Sequence, residues 1–130
     1  MKFTIKDIQT EHQKVKSGAD FPHYIQAIKK LGVSHYTTYV PDGNTVYFDN
    51  ENKAVSTGSK YENLHISENL NQENFKARLQ LHQQGGTDYL TFCCDCAENG
   101  IEGWKIDLDK MTCTYFDSDK NEILVEQIPG

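Results

Sequence analysis

A chain of 130 residues, 37% apolar and 25% charged with a net charge of −6, has the length of one domain and enough apolar content for a core without staples. The charge is uneven: residues 1–58 hold seven Lys against six Asp/Glu, and residues 59–130 hold six Lys/Arg against thirteen Asp/Glu. Phosphate-backbone binding needs a positive footprint, so nucleic acid is not expected as a partner. Charges every few residues and no apolar h-region in residues 1–8 argue against a signal peptide or membrane span. The expectation is a cytoplasmic protein whose four cysteines are free thiols or ligands rather than disulfides.

Taken in chain order, Thr4 with Asp7 predicts a capping pair for a first helix. Ile5, Ile8, His12 and Val15 share a face of that helix, and Gly18 ends it. Asp20 is the expected cap of a second helix with Pro22 in its first turn, a buried stripe of Tyr24, Ile25, Ile28 and Leu31, and Gly32 as the left-handed stop. Strands are predicted at 33–40, 45–49 and 54–57, the first two joined by the turn sequence Pro41-Asp42-Gly43-Asn44. Residues 58–71 are the least patterned, with Leu64 and Ile66 as a short extended segment. Asn71 then caps a helix that buries Phe75, Leu79 and His82. Thr87 caps the next, with Tyr89, Phe92, Cys93 and Cys96 inward and Gly100 at its end. Strands follow at 101–108, 111–116 and 122–128. Trp104, Ile106 and Leu108 alternate with Lys105, Asp107 and Asp109, as in a half-buried antiparallel strand.

The second half repeats the first at an offset of 68 positions. Gly18, Asp20, Gly32, Tyr47, Phe48 and Asp49 meet Gly86, Asp88, Gly100, Tyr115, Phe116 and Asp117, with like-for-like pairs such as Tyr36/Trp104 and Val40/Leu108 between them. The expected fold is therefore α+β: a two-layer sandwich from an internal duplication of helix–helix–three antiparallel strands. The expected organisation is a single domain over 1–130, with pseudo-repeat halves 1–58 and 71–130 and a linker at 59–70.

Chemistry has to be weighed against packing. Cys93-Cys94-Asp95-Cys96 has redox spacing, but a cap at Thr87 places Cys93 inside the helix, beyond the first-turn amides that would lower its pKa. The repeat puts Ile25 and Ile28 at the positions of Cys93 and Cys96, so packing as small hydrophobes is the plainer reading. No cofactor is expected; the alternative is a zinc- or thiol-dependent protein using Cys93, Cys96, Cys113 and His82, four potential ligands found only in the second half. His82 with Cys93 as base and nucleophile lacks a third orienting group, and no phosphate loop, dinucleotide fingerprint or nucleophile elbow is present, so the chain does not read as an enzyme.

Seven tyrosines leave an aromatic surface to be accounted for. Tyr36 and Tyr39 point to opposite faces of a strand, so at least one escapes a helix-covered core. Tyr36, Tyr39, Trp104 and Tyr115 are the expected ligand-binding residues, on a surface or groove between the halves that receives a small molecule or a protein. The expected assembly is a monomer or homodimer.

Several strings are distinctive: Lys16-Ser17-Gly18-Ala19-Asp20-Phe21-Pro22, His82-Gln83-Gln84-Gly85 with Thr87-Asp88-Tyr89, Thr91-Phe92-Cys93, and Met111-Thr112-Cys113-Thr114-Tyr115. Through them nearly the whole chain resembles the YbcV/YdfO-like family of small bacterial and prophage-borne proteins of unknown function, some labelled phage envelope protein. The resemblance implies a two-layer α/β sandwich and an uncharacterised prophage-type protein. It carries over no catalytic residue.

Overall fold

The computed structural model describes residues 3–15 and 20–128, and the expected Gly18 helix stop lies outside them. α1 (Ile5–His12) starts at a complete capping box: the Thr4 hydroxyl accepts from the Asp7 amide while the Asp7 carboxylate accepts from the Thr4 amide. α2 (Phe21–Leu31) has Asp20 at its N-cap position, but in helical conformation and without a side-chain capping bond, which corrects the expected cap. It stops where Gly32 turns left-handed (φ 111°) and the Val33 amide reaches back to the Ile28 carbonyl at 3.1 Å. Val33 thus belongs to the helix stop, and β1 is shorter than expected, His35–Tyr39.

β1 turns through Gly43 (φ 74°) into β2 (Thr45–Phe48), and β3 (Ala54–Ser56) follows. Residues 57–71 form no helix or strand, so the expected extended segment at Leu64 and Ile66 is not a strand; both side chains pack half-buried on the core instead. α3 (Gln72–Gln83) is capped by the Asn71 side chain. α4 (Tyr89–Glu98) is capped by Asp88, whose carboxylate accepts from the Thr91 amide at 2.8 Å. The expected cap, Thr87, has its hydroxyl engaged by His82 Nδ1 at 3.0 Å. β4 (Ile101–Asp107), β5 (Thr112–Asp117) and β6 (Glu122–Gln127) complete the α+β fold.

The six strands form one antiparallel sheet in the order β3-β2-β1-β4-β5-β6. At its centre Thr37 lies opposite Lys105, with Tyr36 opposite Ile106 and Thr38 opposite Trp104. Just beyond the paired residues, the Val40 amide donates to the Glu102 carbonyl at 2.8 Å and the Leu108 amide to the Ser34 carbonyl at 3.0 Å. Val40 and Leu108, like Ser34 and Glu102, are 68 positions apart, so the two bonds are mates about the Thr37–Lys105 pair. The outer turns match as well. Asp49 Oδ1 accepts from the amides of Glu51 and Lys53, and Asp117 Oδ1 from those of Asp119 and Asn121. Asn52 and Lys120, again 68 apart, both take positive φ (63° and 69°).

Alternation along the strands sends Tyr36, Thr38, Thr45, Tyr47, Trp104, Ile106, Cys113 and Tyr115 to one buried face. Helical side chains meet that face: Tyr24 of α2 reaches Tyr47, Phe75 of α3 packs edge-on to Tyr115, and Phe92 of α4 lies against Trp104. Each such large apolar side chain contributes about 1.5–3 kcal/mol on burial. The opposite face carries His35, Thr37, Tyr39, Val46, Phe48, Lys105, Thr114 and Phe116, and none of the described ring contacts joins these residues to a helix.

Candidate functional site

Close helix contacts run within pairs, α1 with α2 and α3 with α4, rather than between the pairs. The junction between the two pairs above the central strands is termed the seam; the segment 57–71, the strap, lies along it, with Lys60 near both His12 of α1 and Tyr89 of α4. The strap is tied to the β1–β2 turn by Ser59 Oγ donating to Asp42 Oδ2 (2.8 Å), the Lys60 amide to the Asp42 carbonyl (2.7 Å) and the Leu64 amide to the Pro41 carbonyl (2.7 Å). Tyr61 donates its hydroxyl to the Val40 carbonyl, and its ring lies on Gly43, where a Cβ would sit 2.6 Å from it. The far end is tied to α4 by the Ser67 amide on the Ala97 carbonyl (2.8 Å) and the Asn71 amide on the Asn99 carbonyl (3.0 Å).

This anchoring brings Lys60 and Tyr61 beside the start of α4. Lys60 Nζ lies 5.7 Å from the centroid of the Tyr89 ring and 3.4 Å from the buried Thr45 hydroxyl, which is itself 2.9 Å from the Thr38 hydroxyl. Tyr89 is 38% exposed and rests edge-on against Trp104, which is 9% exposed. On the other wall the Tyr24 and Tyr47 hydroxyls are 3.3 Å apart, and the His12 ring packs edge-on to Tyr24.

Electrostatics follow from partial burial. Desolvation raises the pKa values of Tyr24, Tyr47, Tyr61 and Tyr89, so their hydroxyls keep their protons; Tyr61 gives its proton to the Val40 carbonyl, and Tyr24 and Tyr47 share a bond with each other. Burial lowers the Lys60 pKa; burial first, and Lys60 second, lower that of His12. Burial raises the Cys93 thiol pKa despite the opposing influence of the Tyr61 and Tyr89 hydroxyls and Lys60. A thiol held protonated is a poor nucleophile.

Of the ligand-binding residues expected from sequence, Tyr36, Trp104 and Tyr115 lie on the buried sheet face, 5%, 9% and 6% exposed. Tyr39 lies on the opposite face, edge-on to Phe116 and under Lys120. The four do not converge on one surface. Trp104 adjoins the seam through Tyr89, and Tyr36 through Tyr47, with ring centres 5.0 Å apart.

Among the described residues no group of three or more His, Cys, Asp or Glu side chains is arranged to hold a metal ion, so Cys93, Cys96, Cys113 and His82, the alternative zinc set, do not come together as one. His82 is occupied, its ring stacked on Phe92 at 4.4 Å and its Nδ1 bonded to Thr87. Cys93 and Cys96 are fully buried, as are Ile25 and Ile28, and all four cysteines are free. Burial raises the pKa of Cys96 well above the usual range and pushes that of Cys113 up to about 12. The thiols thus pack as apolar groups.

Lys60 and His12 were not among the site residues that periodicity singles out. The available signal was a structureless stretch of this length, uncommon in small domains unless it has a role. Two open hollows, about 460 Å³ beside His65, Glu68 and Glu98 and about 440 Å³ between Lys76, Gln83 and Leu124, lie away from the seam. No described helix is long and apolar enough to cross a membrane.

No curated protein matches the chain. A family described as "Protein of unknown function (DUF1398)" matches residues 9–127. The match takes in the strap, both seam walls and all six strands, and the chain belongs to the DUF1398 family.

Proposed function

We propose that this DUF1398 protein is a non-enzymatic binding module whose small ligand or protein partner docks in the seam between the helix pairs. The observation that carries this reading is the meeting of Lys60 and Tyr89: a partly desolvated cation and a half-exposed ring, from a strap and a helix start, above buried threonine hydroxyls. Aromatic rings with polar tips contribute large contact area at low entropic cost and are enriched at binding surfaces. The reaction alternative has less support, since the one thiol facing the seam is held protonated and fully buried.

Two further elements belong to the same reading. The halves descend from a duplicated helix–helix–three-strand unit; the matched Asp49 and Asp117 turns and the mated Val40 and Leu108 bonds support this. A prophage-type origin rests on the YbcV/YdfO-like strings. On this view the ligand site lies where the copies differ, since Lys60 comes from the strap that joins them.

Native mass spectrometry of untagged wild-type protein and Tyr89→Ala tests the binding reading. A molecule retained by the wild type and lost from the variant supports it. A molecule retained equally by both contradicts it.

A further inference from the structure

One edge of the sheet ends on a strand of six residues, β6, that is bonded to β5 alone; at the other edge β3 has only three residues. The Ile128 amide donates to the Met111 carbonyl at 2.8 Å, and in that register Glu126 and Leu124 turn their backbone groups toward β5 while Val125 and Gln127 turn theirs outward. The Ile123 carbonyl faces out as well, where Gln72 Nε2 of α3 covers it at 2.9 Å. No described residue bonds the outward amide and carbonyl of Val125. Its side chain is 53% exposed, more than any other large apolar residue described. A long unpaired edge with Ile123-Leu124-Val125 at its middle is a template for another strand.

Beside this edge lies the hollow of about 440 Å³ between α3 and β6, lined by Lys76 and Leu124 and by Glu126. Lys76 and Glu126 form no ion pair within the chain; Glu126 has Oε1 taken by Gln83 Nε2 at 2.9 Å and no bond at Oε2. We propose, independently of the seam, that β6 pairs antiparallel with β6 of a second copy about a twofold axis at Val125. Val125 then faces its own counterpart, exchanges two N–H···O bonds with it and covers the exposed side chain. The same register sets Glu126 of the second copy opposite Leu124, beside Lys76, so each lysine gains a carboxylate across the interface. Glu122 falls opposite Ile128, and no glutamate lies directly opposite another. The fit is reciprocal in both backbone and charge, which favours a second copy over an unrelated strand.

Sedimentation equilibrium and amide hydrogen exchange of the full-length protein test the pairing. The expected result is a concentration-dependent dimer whose Val125 amide exchanges slowly, where an unpaired edge amide exchanges fast. Val125→Lys, a change of the kind that blunts natural sheet edges, should leave a folded monomer. Lys76→Glu and Glu126→Lys should each weaken the dimer by about tenfold, through two bridges per dimer, and the double variant should recover it. A monomer at every concentration up to that used for NMR overturns the proposal, as does a dimer that survives Val125→Lys or leaves the Val125 amide exchanging fast. A double variant no tighter than the single ones overturns the register that joins Lys76 to Glu126. Should Val125→Lys fail to fold, exchange in the wild type and the charge swap decide.

Discussion

Lys60 holds its ammonium group 5.7 Å from the centre of the Tyr89 ring, joining the strap to the first residue of α4. Lys60 as a whole is exposed, and the partial burial of its ammonium beside the ring lowers its pKa. A cation–π contact at such a site is worth about 0.5–2 kcal/mol, and desolvation of the ammonium offsets it. Lys60→Met is therefore expected to change stability by less than about 0.5 kcal/mol, as for a surface change without a structural role. Urea denaturation checks this, and a loss of about 2 kcal/mol would identify Lys60 as a structural strut instead.

Gly103 of β4 has no room for a side chain. A Cβ there would lie 2.3 Å from the Thr38 carbonyl oxygen and 2.8 Å from the Phe116 ring. The carbonyl cannot swing aside without breaking the β1–β4 pairing on which both halves depend. Gly103→Ala should destabilise by about 1–3 kcal/mol, the usual cost of overpacking. The expected signature is a lower urea midpoint with an unchanged m-value; an unaltered midpoint would contradict the close approach.

Thiol reactivity should divide the four cysteines. Cys93, Cys96 and Cys113 are buried with raised pKa values, whereas Cys94 is partly exposed. A disulfide reagent at mildly alkaline pH is expected to label Cys94 quickly and the other three only as fast as the protein opens. Rapid labelling of Cys93 in the folded state would revive the thiol reading.

Burial holds His12, His35 and His82 below the ordinary imidazole range. These rings stay neutral in the folded state at pH values where the unfolded chain takes up protons. Their contribution to stability is therefore complete above about pH 6.5, declines as pH falls below it, and levels off once the folded-state pKa values are passed. The urea midpoint should drop between pH 7.5 and 5.5, and His82→Gln should flatten the slope. A midpoint that rises on acidification would contradict the sign.

Much of the scaffold was legible because its signals are local. The Thr4–Asp7 box formed as spaced, and strand alternation placed Tyr36 and Tyr39 on opposite faces. The isoleucines matched to Cys93 and Cys96 marked those thiols as packing residues. Less legible features depended on competition between neighbours. Thr87 and Asp88 can both cap α4, and His82 engaged the threonine and left the cap to the aspartate. The seam was least legible, since Lys60 and Tyr61 are placed by backbone bonds from the strap to Pro41 and Asp42, which no side-chain period announces.

Amide chemical-shift mapping of a fragment library on the labelled protein tests the central claim most directly. The seam reading predicts hits that cluster at Lys60, Tyr61, Tyr89 and Cys93 and vanish in Tyr89→Ala. Hits that gather instead around Tyr39, Phe48 and Phe116, on the opposite sheet face, would contradict it.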